Sequence, residues 1–101
     1  MNERVIHVRA NIRLLPTSQS GRKLPVRGGS YRPNHNFFDA DNTSMTVGFV
    51  ELPEGTELHP GENMDALIKL LYWSGLKDQI YVGREWRIQE GARLVGIGTV
   101  I

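Results

Sequence analysis

The chain has 101 residues, 40% of them hydrophobic and 23% charged, and no cysteine. That is the size and mixture of one globular domain. It excludes a disulfide framework, cysteine-based zinc or iron–sulfur sites and a thiol nucleophile. The net charge of +1 conceals an asymmetry: residues 1–36 carry +6, residues 37–65 carry −7 and the remainder carries +2. In the first segment Arg4, Arg9, Arg13, Arg22, Lys23, Arg27 and Arg32 face one acid, Glu3. The second segment has seven acids and no Lys or Arg. Either the surface is dipolar with an anion-attracting face, or the two segments neutralise each other as neighbouring strands. No apolar stretch is long enough to span a membrane. Met1 to Arg4 lack the apolar core of a secretion signal. These features lead us to expect a soluble, cytoplasmic protein.

Residues 5–15 alternate, with Ile6, Val8, Ala10, Ile12 and Leu14 on one side and His7, Arg9, Asn11 and Arg13 on the other. Period two predicts a half-buried strand, ended by Pro16. Residues 16–33 are rich in Pro, Gly, Ser and bases and predict a long loop. Two more strands are expected over 34–39 and 44–52, followed by turn signals at Pro53-Glu54-Gly55 and Pro60-Gly61. Residues 64–73 fit two periods. Met64, Leu67, Ile68, Leu71 and Tyr72 have helical spacing, with Asn63 available as a cap. Ala66, Ile68, Leu70 and Tyr72 have strand spacing. A strand over 85–90 places Trp86 and Ile88 on one face, Gly91 supplies a hairpin turn, and 93–101 form the last strand. Gly96 and Gly98 on one face of it predict close backbone contact or a barrel corner. Many short strands between turns point to an all-β barrel or sandwich.

The chain offers little catalytic chemistry. It lacks a phosphate-binding loop and a nucleophile elbow, and its glycines do not have dinucleotide-loop spacing. His7, His35 and His59 are dispersed and form no metal signature. The acids around Asp39 and Pro53 read as a solvated face. We therefore expect no enzyme, no metal and no cofactor. The positive signal is the basic loop from Gly21-Arg22-Lys23 to Gly28-Gly29-Ser30-Tyr31-Arg32-Pro33-Asn34. Its cations suit phosphates, and Tyr31 suits stacking on a base or ribose. Asn34, His35 and Asn36 offer hydrogen bonds. Against this, Tyr31 and Arg32 can fold back to pin the loop. Arg22 and Lys23 are expected in solvent.

The landmarks, taken in order, resemble the third domain, the C-terminal β-barrel, of translation elongation factor Tu. They are Gly21-Arg22 followed by Pro25; Tyr31-Arg32-Pro33; Phe37; Gly48; Glu51-Leu52-Pro53-Glu54-Gly55; Pro60-Gly61-Glu62-Asn63; and Glu90-Gly91 with Arg93, Val95-Gly96 and Gly98. The match covers about residues 4–101. The resemblance implies a six-stranded antiparallel Greek-key barrel with a strand at 64–73, and an altered hairpin loop at 74–82. It also implies a non-catalytic module that touches the T-arm of aminoacyl-tRNA. The matching contact positions are Lys23, Asn34, and Glu90 with Gly91; with Arg22, Tyr31 and Arg32 they make the expected RNA-binding set. Lys23 stands for the family's histidine, Asn34 for its glutamine, Gln89 for an arginine and Phe49 for a threonine. The GTPase domain and the second barrel of the factor have no counterpart in these residues. Two further readings are a protein-interaction module that competes with the factor's barrel for a translation-related protein, and a structural homodimer.

Overall fold

The alternation in the first strand is the inner and outer face of a barrel wall. A computed structural model describes residues 4–29 and 31–101. The readings that involve Met1 to Glu3, and Ser30 in the basic loop, lie outside the described residues. Strand β1 (Val5–Leu14) buries Val8, Ala10, Ile12 and Leu14 and leaves Arg9 and Arg13 outside. The chain continues through the single-turn helix α1 (Thr17–Ser20), β2 (Val26–Arg27), β3 (Asn34–Asn36), β4 (Thr46–Glu51) and β5 (Glu57–Leu58). It ends with β6 (Asn63–Leu71), the single-turn helix α2 (Leu76–Gln79), β7 (Glu85–Glu90) and β8 (Arg93–Val100). Six strands close an antiparallel barrel in the order β1-β6-β4-β3-β7-β8, and β8 returns to β1. Strands β2 and β5 form a ribbon outside it. Because β3, β4 and β6 are successive neighbours and β1 lies beside β6, the connectivity is Greek key. The expected all-β, six-stranded antiparallel barrel is the fold. No helix among the described residues is long and apolar enough to cross a membrane.

Of the two periods at 64–73, the strand that the resemblance implied is the one found: β6 turns Ala66, Ile68 and Leu70 into the core. Leu67 and Leu71 lie on the outer face, whereas Met64 shares the inner row and packs against the core. Two apolar residues on the outer row, added to the inner ones, produced the helical spacing. A ladder with β1 running from Val5↔Leu71 to Arg13↔Asn63 overrides it. Asn63 caps nothing; its side-chain oxygen accepts a hydrogen bond from Asn11 Nδ2 at 3.0 Å. Two other expectations change, at 74–82 and at 16–33. Residues 74–82 are not a hairpin loop, because β4 and β3 stand between β6 and β7. The segment crosses an end of the barrel and inserts the fully buried Leu76 of α2 into the core. The long loop over 16–33 is partly regular, holding α1 and β2, and Tyr31 bridges to Val50.

A polar line runs through the apolar interior. Trp86 Nε1 donates to His35 Nδ1 at 3.0 Å. An indole N–H only donates, so Nδ1 carries no proton. The proton sits on Nε2 and is donated to the Gly48 carbonyl at 3.2 Å. His35 is 0% exposed, and burial pushes its pKa down to about 4. Phe37 stacks on Trp86 with ring centroids 5.2 Å apart. The glycine signal in β8 has the expected cause: a Cβ on Gly98 would overlap the Trp86 ring, and one on Gly96 would stand 2.8 Å from the Arg13 carbonyl oxygen.

Replacing Gly98 with Ala therefore overpacks the core. A loss of about 1–3 kcal/mol is expected in urea denaturation; an unchanged midpoint would contradict the packing. The His35 pKa is lower folded than unfolded, so stability is complete above about pH 6.5 and falls as the pH drops toward 4. The full loss is about 3 kcal/mol. Urea midpoints at pH 7 and pH 5 should show part of this loss in the native protein and little of it in a His35→Gln variant.

Candidate functional site

The basic loop leaves α1 at Gly21, whose left-handed conformation (φ 76°) closes the turn. Arg22 then folds inward, contrary to its expected exposure. Its side chain is 19% exposed and lies over the Tyr31 ring, 5.3 Å from the centroid. Arg22 Nη1 donates to Glu90 Oε2, and Nη2 reaches the Pro25 carbonyl at 3.4 Å. The Tyr31 hydroxyl donates to the same Glu90 Oε2 at 2.7 Å, and Arg93 Nη2 donates to Oε1 at 3.0 Å. Burial first, and then the bond to Glu90, hold the Tyr31 hydroxyl well above the usual phenol range. It therefore stays a donor. A charge-assisted cluster of this kind is strong where solvent is partly excluded.

The structure thus brings Arg22, Tyr31 and Glu90 together and sets them to holding one another. Tyr31 pins the loop instead of offering a stacking face. Gly91 lies exposed beside this brace, at the tip of the β7–β8 hairpin with φ 63°. Lys23 is exposed as expected, and so is Arg32, whose guanidinium stands 5.9 Å from the centroid of the Phe49 ring. Asn34 is half-buried in the β3 ladder, opposite Val47 and Gln89. His35 and Asn36 are core residues, not ligand contacts. Asn36 Nδ2 donates to Gln89 Oε1 at 2.9 Å, and Gln89 Nε2 donates to the Gly91 carbonyl at 3.1 Å. A bulge between Ile88 and Gln89 puts both residues inside and breaks the alternation of β7.

Two features were not singled out as contacts from the sequence. Arg9 and Arg13, exposed on the outer face of β1, extend the basic surface beyond the loop. Their place in the alternation was the available signal. The second is an apolar face. Two hollows of about 460 and 470 Å³ meet along Val47 and Leu71. Phe38 and Trp73 wall one, and Phe49 and Arg32 wall the other. Val5, Phe38, Val47, Phe49 and Leu71 are all between 38% and 50% exposed there. No family model matches the chain.

Since Glu90 accepts from three donors, its removal should destabilise more than removal of one of them. We expect Tyr31→Phe to cost about 1 kcal/mol and Glu90→Ala about 3 kcal/mol in chemical denaturation. Equal losses would contradict the shared-acceptor arrangement.

Proposed function

We propose that this chain is a non-catalytic binding module, similar to the third barrel of elongation factor Tu, that contacts structured RNA of the tRNA type. The observation that supports this reading is how few of the N-terminal cations are neutralised on folding. Of the seven bases in residues 1–36, only Arg27 pairs with the acidic segment, to Glu57 at 2.9 Å. Arg22 is spent on Glu90. Arg4, Arg9, Arg13, Lys23 and Arg32 are exposed, and among the described residues no acid lies within ion-pair distance of them. The charge asymmetry of the sequence is therefore carried to the surface, where it suits a phosphate backbone.

In this reading Lys23 and Arg32 are the phosphate contacts of the loop, and Arg9 and Arg13, exposed on the outer face of β1, add to the positive surface. Gly91 allows close approach at the hairpin tip. Arg22, Tyr31 and Glu90 position the loop without touching RNA, and Asn34 serves through its place in β3. The module itself hydrolyses no nucleotide.

Fluorescence anisotropy against bulk tRNA tests the proposal. Affinity should fall steeply with added salt. Replacing Lys23 and Arg32 with Ala together should weaken binding to all sequences alike and flatten the log–log salt slope by about 2. A flat salt response in the native protein would overturn the reading.

A further inference from the structure

The outer face of β4 and β6 is out of character for a barrel wall exposed to water. Five of the large apolar side chains with substantial exposure gather there: Val5, Phe38, Val47, Phe49 and Leu71. A contiguous patch of this kind marks an interaction surface. The hollows on its two sides share Val47 and Leu71 and differ in charge. Beside Phe49 stands Arg32, free of any ion pair among the described residues, while Lys69 and Glu51 cancel each other at 2.8 Å. At the other end, Phe38 and Ser44 bound a loop that carries Asp39 and Asp41. Both acids are exposed, and neither makes an ion pair among the described residues. Arg4 lies over Tyr72 on this side, 5.4 Å from the ring centroid, and offsets one of the two negative charges.

We propose that a second copy of this chain docks on this face, about a two-fold axis passing near Val47 and Leu71. Such an axis lays the Arg32 end of one copy against the Asp39–Asp41 end of the other, twice. The apolar ridge at the centre meets itself. A two-fold interface must be self-complementary. A patch that is positive at one end, apolar in the middle and negative at the other meets that condition, which a patch of one charge sign does not. If a tenth of the 6088 Å² surface is covered, each copy buries about 600 Å². That lies at the lower end of specific interfaces, where transient contacts are found, so the dimer is expected to dissociate on dilution. RNA contact and self-association share Arg32, which lines the groove, whereas Lys23, Arg9 and Arg13 do not. RNA and a second copy therefore compete for Arg32 alone, and association is measured without RNA.

Sedimentation velocity on the full chain over a wide concentration range is the test. The native protein should shift from monomer to dimer as concentration rises. Val47→Asp changes an outward side chain that is 44% exposed, so it should leave the fold intact, as checked by circular dichroism, and abolish the dimer. Arg32→Glu alone, and Asp39→Arg with Asp41→Arg, should each weaken association at least tenfold, and the three together should restore most of it. A monomer at every concentration would overturn the proposal and leave the face to an unlike partner. So would a dimer indifferent to Val47→Asp, or a combined charge reversal that fails to recover association.

Discussion

The indole of Trp86 donating into the ring of His35 decides how the barrel interior is filled. A polar pair in an apolar core is tolerable only if every donor and acceptor is matched. Here the match runs from Trp86 through His35 to the Gly48 carbonyl, and it works in one tautomer of the neutral imidazole. The backbone is shaped around it. A side chain at Gly48 would stand 2.7 Å from the Lys69 carbonyl oxygen and 3.1 Å from the His35 ring, and one at Gly98 would collide with Trp86. The glycines of β4 and β8 are thus clearances for two large rings on opposite walls. Strand β3 has only three residues and a two-pair ladder with β4. Its place is secured by side chains, with His35 bonded inward and Asn36 bonded to Gln89 of β7.

The same economy operates where the basic loop meets the barrel. A segment of this length would ordinarily hold its charged side chains loosely in water. The carboxylate of Glu90 gathers Arg22, Tyr31 and Arg93, which ties the loop to the β7–β8 hairpin. Lys23 and Arg32 flank this anchor in sequence and project from a fixed base. Restricting a contact loop before it meets a ligand lowers the entropy lost on association. The inward turn of Arg22 is in this sense the support for its exposed neighbour.

What could be read in advance follows from which physical signal each segment carried. Strand β1 was legible because its two faces meet different solvents, core and water, so period two is undiluted. Strand β6 was ambiguous because its outer row also carries two apolar residues, Leu67 and Leu71, which superimposes helical spacing on a strand. Gly96 and Gly98 announced close contact, but not that Trp86 would be the contact. The chemistry of the loop was harder. Arg22 and Lys23 are adjacent and alike in sequence, yet one faces a carboxylate contributed from position 90 and the other faces water. A partner 68 residues away leaves no local trace. Gln89 was likewise hidden, since a bulge reverses the inside–outside order that alternation predicts. The barrel was readable in the pattern, whereas the division of its polar residues between bracing and exposure required the three-dimensional neighbours.

Closure of the barrel has a consequence for how the protein comes into being. Strand β1 is made first, but its neighbours are β6 and β8, and β8 is the last strand to be synthesised. The inward row of β1 cannot be covered on both sides until Arg93–Val100 has left the ribosome. Until β6 is made both edges of the first strand lack their partners, and until β8 follows one edge is still open. Pairing across nearly the whole chain length also makes for slow folding.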